Sequence, residues 1–149
     1  MIIQFISAFI AVFCFSVTLE VPKKFVFFTG LIGAIGWVIY LLCTMFNLSA
    51  VLASFISALI VAIISIILAK IFKAVTTIFF IPGILPIVPG LAMYKLVYSM
   101  INNNTSDITY YLLQSLFIAG CIALAIFITD SIREFKIISR KEKVNENKI

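Results

Sequence analysis

The chain is built from long uncharged stretches separated by short charged joints. Uncharged residues fill 1–19, 25–69, 74–94, 96–106 and 108–129, and only Glu20, Lys23, Lys24, Lys70, Lys73, Lys95 and Asp107 interrupt them. About 20 apolar residues cross a bilayer as one helix. Stretches 1–19 and 108–129 are therefore one span each. The 45 residues of 25–69 hold two spans. Their turn falls at Asn47-Leu48-Ser49, because Asn and Ser favour turns and helix caps. The predicted spans are 1–19, 25–46, 49–69, 74–101 and 108–129. They form one all-α polytopic membrane domain over 1–132, followed by a basic tail, 133–149.

The fourth span differs from the others. It contains IPGILPIVPG, with Pro82, Gly83, Pro86, Pro89 and Gly90. Each proline removes a backbone donor and clashes with the preceding turn. The segment is expected to be a helix broken over 82–90, or else a re-entrant hairpin. Freed carbonyls there must face protein or a wet cavity, because lipid cannot satisfy them.

Charge decides between these options. Of the 17 charged residues, nine lie in 133–149. With five spans, ten of the eleven Lys and Arg residues fall on one face and Lys95 alone on the other. By the positive-inside rule this predicts an N-out, C-in protein of the cytoplasmic membrane. A re-entrant fourth segment would send the basic tail outside. Residues 1–19 lack a basic leading segment and a small-x-small cleavage site before Glu20, so they read as a retained span.

Composition agrees with that picture. The chain is 64% hydrophobic and 11% charged, with a mean hydropathy of +1.25. A soluble domain carries about a quarter charged residues, so a soluble globular protein is excluded. The net charge of +5 follows from topology and does not point to nucleic acid. Histidine is absent, and Cys14, Cys43 and Cys121 lie far apart without CxxC spacing. The cysteines read as packing residues. No metal site, no cofactor and no enzymatic centre is expected. No span carries an acidic residue at its middle, which argues against an antiporter built on a membrane-buried carboxylate.

The midpoint between Lys73 and Asn102 falls near residues 87–88, inside the Pro/Gly run. A helix break at the midplane points to a transport site, where half-helix ends and unwound carbonyls replace the hydration of a solute. The second half-helix would begin near Pro89 and Gly90 and offer a partly positive N-terminus to an anion. A kink needed only for packing is the competing reading, and three prolines with two glycines favour the pathway. Lys95 sits roughly 10 Å of helix below the outer end. It either snorkels to headgroups or faces the pathway and attracts a carboxylate. Tyr94 and Tyr98 flank it, and line the same face or belong to an aromatic belt with Tyr110 and Tyr111.

Small residues predict close helix approach: Gly30, Gly33 and Gly36, with Ala34, in the second span, and Ser54, Ala58 and Ala62 in the third. Ser57 and Ser65 offer hydrogen bonds to neighbouring helices. Glu20 and Asp130 close spans one and five as solvated charges, with proton coupling as the minor alternative. Asp107 is expected to cap the last helix.

LEVPKKFVFFTGLIGAIGW, followed later by IPGILPIVPGLAMYKL, resembles the small subunit of the bacterial threonine/serine exporter family. The resemblance covers nearly the whole chain apart from the tail, and the PxxPG element followed by Tyr is its specific part. It assigns Pro82, Pro86, Pro89, Gly90 and Tyr94 to the shared element; Lys95 lies outside it. The resemblance implies a short membrane chain that works with a longer partner chain of the same family, or is fused behind it in about ten spans. It implies export of threonine and serine, and in related two-chain systems of dicarboxylates such as succinate. Alternating access driven by the proton gradient is the expected mechanism. A homo-oligomer, a dicarboxylate exporter subunit, and an accessory or pore-forming membrane protein are the alternatives.

Overall fold

Helix ends set the architecture. The computed structural model describes the backbone of residues 1–146 and the side chains of residues 1–131. It contains α1 (Ile2–Thr18), α2 (Lys23–Met45), α3 (Ala50–Ile71), α4 (Thr77–Ile84), α5 (Gly90–Ile101) and α6 (Thr105–Glu146). Four connections close in the same way. Glu20, Asn47, Lys73 and Asn103 each adopt a left-handed backbone, with φ between 50° and 58°. At each, two reverse hydrogen bonds satisfy the last carbonyls, as when Asn47 donates to Thr44 and Leu48 to Cys43. Glycine usually fills this position; here no glycine does. The predicted turn at 47–49 is this motif followed by the Ser49 cap, whose side chain accepts from the Leu52 amide.

These are the elements of a polytopic membrane protein. Helices α2, α3 and α6 are each long and apolar enough to cross a membrane, and residues 77–87 with α5 pass the same test together as a pair bent by 47°, the form of a broken span or a re-entrant loop. Helix α1 is a 17-residue apolar helix, at the short end of spanning length. The turns around Glu20 and Lys73 share one end of the bundle, where Phe25 and Phe28 meet Phe72, and Phe25 meets Phe79 at 5.1 Å between ring centroids. We call it the lysine end. The turns around Asn47 and Asn103 lie at the opposite, asparagine end.

Helix α2 is the centre and packs against α1, α3 and α4. Its small residues permit this. A Cβ on Gly30 would stand 2.9 Å from Phe9, on Gly33 2.5 Å from Val12, and on Gly36 2.6 Å from Val61. Two hydroxyl contacts add to the packing. Buried Ser16 and Thr29 join α1 to α2 at 2.7 Å, and Ser57 donates across to the Gly36 carbonyl. Ser65 instead donates within its own helix, to Val61. Helix α6 packs on α3 and α5, and α5 packs on no other helix among the described residues.

Two expectations change in detail, and the tail adds a feature on which the sequence pattern is silent. The α-helix carries through Pro82 and Gly83 to Ile84, so the interruption is shorter than 82–90. Proline costs α4 one donor, and Gly83 lets the helix sit 2.8 Å (measured to an added Cβ) from Ile32. Asp107 is not the cap of α6: it lies in the first turn, where Asn104, just before the helix, donates to it at 2.8 Å. A carboxylate there complements the helix dipole. Finally, α6 continues without interruption to Glu146. After Gly120 the chain has no Gly or Pro, and its Arg, Lys and Glu residues are good helix formers.

Candidate functional site

The break between α4 and α5 is a defined turn. Leu85–Ile87 form one turn of 3-10 helix, and the Val88 amide donates to Leu85. Pro89, at φ −75° and ψ 52°, then centres an inverse γ-turn in which the Gly90 amide donates 2.7 Å to the Val88 carbonyl. Helix α5 starts at once, with Met93 donating to Pro89. The amides of Leu91 and Ala92 have no partner among the described residues. They are the orphan donors of a helix first turn and carry its partial positive charge.

These donors border a partly open cavity of about 270 Å³ near the asparagine end. Pro86, Val88, Pro89, Gly90, Leu91 and Ala92 form one wall, and Lys95 lies a turn further along α5. Tyr111, Gln114 and Ile118 come from α6, Ala50 and Ser54 from α3, and Trp37 and Tyr40 from α2. The Lys95 ammonium sits 5.4 Å from the Tyr111 ring centroid, a cation–π distance. Trp37 and Tyr40 stack at 5.4 Å. The lining carries one cation and no carboxylate among the described residues. It therefore favours an anionic group, with aromatic faces and a carboxamide available to the rest of a small solute.

The residues singled out from the sequence separate here. Pro86, Pro89, Gly90 and Lys95 come together around the cavity. Pro82 and Gly83 are buried in packing and do not line it. Tyr94 is 67% exposed and stacks on Tyr98 at 6.4 Å, on the outward face of α5. Ser54 lines the cavity while its hydroxyl donates to Ala50; Ala58 and Ala62 are buried on α3. Glu20 borders a groove beside Lys23, at the join of α1 and α2. Asp130 lines a different cavity, between α3, α4 and α6 at the lysine end. The two carboxylates do not share a site.

Trp37, Tyr40 and Gln114 were missed as site residues. Gln114 had a signal, being the only side-chain amide within 108–129. Trp37 and Tyr40 had none beyond aromaticity, because only the meeting of α2 with the break brings them in.

A bent helix pair with a cavity at its break, set in a bundle of apolar helices, is the architecture of a polytopic membrane protein. The family described as Threonine/Serine exporter, ThrE matches residues 4–132, and the chain belongs to it. Comparison with curated proteins and with solved structures gives no match.

Proposed function

We propose that the chain is the short membrane subunit of a bacterial threonine/serine exporter, with the cavity at the α4–α5 break as its substrate site. One observation carries this reading: Lys95 and the free amides of Leu91 and Ala92 border the same cavity. A carboxylate bound there accepts from the two amides and pairs with the Lys95 ammonium. The ammonium group of the amino acid turns to the faces of Tyr111 and Trp37 and to the Gln114 carbonyl oxygen. A single cation matches one carboxylate, which favours a zwitterionic amino acid over a dicarboxylate.

The cavity is walled on one flank only by α5, which packs on nothing but α6 among the described residues. A longer membrane chain of the same family closes that flank and supplies the other half of an alternating-access carrier. The distribution of Lys and Arg sets the lysine end in the cytoplasm and the chain in the bacterial cytoplasmic membrane, crossing five times. The domain then spans 1–132 and residues 133–149 are cytoplasmic.

Efflux tests this reading. Cells expressing this chain with its longer partner are preloaded with radiolabelled serine or threonine, and efflux is timed. Lys95→Gln is expected to slow efflux at least tenfold, with Lys95→Arg retaining most of it. Unchanged efflux in Lys95→Gln, at equal membrane abundance, overturns the site.

A further inference from the structure

A second cavity lies on the same seam of the bundle as the first. It has a volume of about 320 Å³ and sits at the lysine end, where Thr76, Thr129 and Asp130 give it a polar wall. Thr129 is buried, and its hydroxyl donates to the Ala125 carbonyl, which leaves the oxygen lone pairs free to accept. Among the described residues no Cα of α4 comes within 8 Å of one in α6, so a gap separates these helices where the cavity lies.

The two cavities are in register. Helices α3 and α6 run in the same direction. Ser54 and Ile118 border the first cavity, and Ala62 and Ile126 border the second. On both helices the step is eight residues, about 12 Å along the axis, and residues four apart keep to one face. Ala58 and Ile122 stand halfway. Ala58 is fully buried, and Ile122 packs against the core cluster that contains Ala58 and Ile84. None of these three side chains has a polar atom. They form an apolar layer between two cavities that each carry polar groups on their walls.

We infer that the seam between α3 and α6 is one translocation route in two halves, closed at its centre by Ala58, Ile84 and Ile122. In the half at the lysine end, Asp130 receives the ammonium group of a small zwitterionic solute. Lys95 receives the carboxylate in the other half. The solute's identity rests on the reading proposed above; the route does not. On this inference Ala58 and Ala62 line the route and do more than let helices pack.

Thiol accessibility tests the route without any solute. Cys14, Cys43 and Cys121 are replaced by Ala, and single cysteines are placed at Ser54, Gln114, Ala58, Ile122, Ala62 and Thr129 of the full-length chain. A membrane-impermeant methanethiosulfonate is applied to membrane vesicles of each orientation. Ser54→Cys and Gln114→Cys are expected to react from the asparagine side only, and Ala62→Cys and Thr129→Cys from the lysine side only. Ala58→Cys and Ile122→Cys should react at least tenfold more slowly from either side. Central cysteines reacting as fast as the outer ones would mean an open pore and overturn the closed layer. Pairs that react from one shared side, or not at all, overturn the route. Should Ala58→Cys fail to assemble, Ile122→Cys at its less crowded position reports on the same layer. Serine should slow labelling of Thr129→Cys at least fivefold, and Asp130→Asn should abolish that protection. Glycolate, which lacks the ammonium group, should not protect. Protection that survives Asp130→Asn overturns the role of Asp130, and no protection by serine in either background counts against the solute proposed above while the two-sided labelling pattern stands.

Discussion

Helices α2 and α5 both carry glycine, and they use it in opposite ways. In α2, Gly30, Gly33 and Gly36 are buried, and a methyl group on any of them would meet a neighbouring side chain within 3 Å. In α5, Gly90 has nothing within 4 Å of the place a Cβ would take. The first set admits helices to each other's backbone. The second opens a helix beside a cavity and a proline turn. Small residues thus serve cohesion in one half of the molecule and an open space in the other.

The contrast breaks most readily at Gly33. Gly33→Val puts a branched side chain against Val12, and overpacking of this kind costs about 3 kcal/mol. Thermal unfolding in detergent should register that loss, whereas Gly120→Val, also with nothing within 4 Å of its Cβ position, should stay within about 0.5 kcal/mol of the parent. Equal stability of the two variants would dissolve the distinction. Pro89→Ala comes next. It returns a donor and frees φ at the γ-turn, so efflux should fall about tenfold, equivalent to about 1.4 kcal/mol, while the melting temperature holds or rises. A parallel loss of folding would show that the break is structural only.

The hydroxyl pair between α1 and α2 sharpens the cohesive side. A double-mutant cycle on Ser16→Ala and Thr29→Ala should give a coupling of about 0.6 kcal/mol, the mean for hydrogen bonds between membrane helices, and no more than about 1.7 kcal/mol. The smallest effect is expected at Gly90→Ala. With φ in the ordinary range and space for a methyl, the change should raise stability by about 0.4–1 kcal/mol, by narrowing the unfolded ensemble. Destabilisation at Gly90, read in the same unfolding assay, would place it with the packing glycines.

Much of the fold was legible because charges and turn residues are sparse and local. Asn47 and Ser49 end one helix and start the next through their own backbone and side-chain preferences, so the turn could be read without tertiary knowledge. The proline turn was legible for the same reason, although its extent was not. Pro82 stays helical in a turn that Gly83 packs closely on Ile32, a relation between α4 and α2 that no local pattern contains. The glycines of α2 looked like one stripe. A three-residue step turns the helix by about 300°, so Gly30 and Gly33 meet α1 while Gly36 meets α3. Which small residue meets which partner depends on helix order, and so does the membership of Ser54, Trp37 and Gln114 in the cavity. The continuation of α6 is not legible in the charge pattern, because charged residues signal an aqueous environment, which says nothing about backbone conformation.

The γ-turn at Pro89 also has a mechanical consequence. Helix α5 is about 18 Å long, is held laterally by α6 alone among the described residues, and is joined to α4 and the 3-10 turn through a pivot whose φ the proline ring fixes. Rotation is left to the ψ angles of Val88 and Pro89 and to Gly90. A swing of about 10° there carries the far end of this arm through about 3 Å over its length. That is close to the width of a water molecule. Lys95, part-way along the arm, travels less than half as far, so the arm can widen the mouth of the cavity while its charge stays near Tyr111.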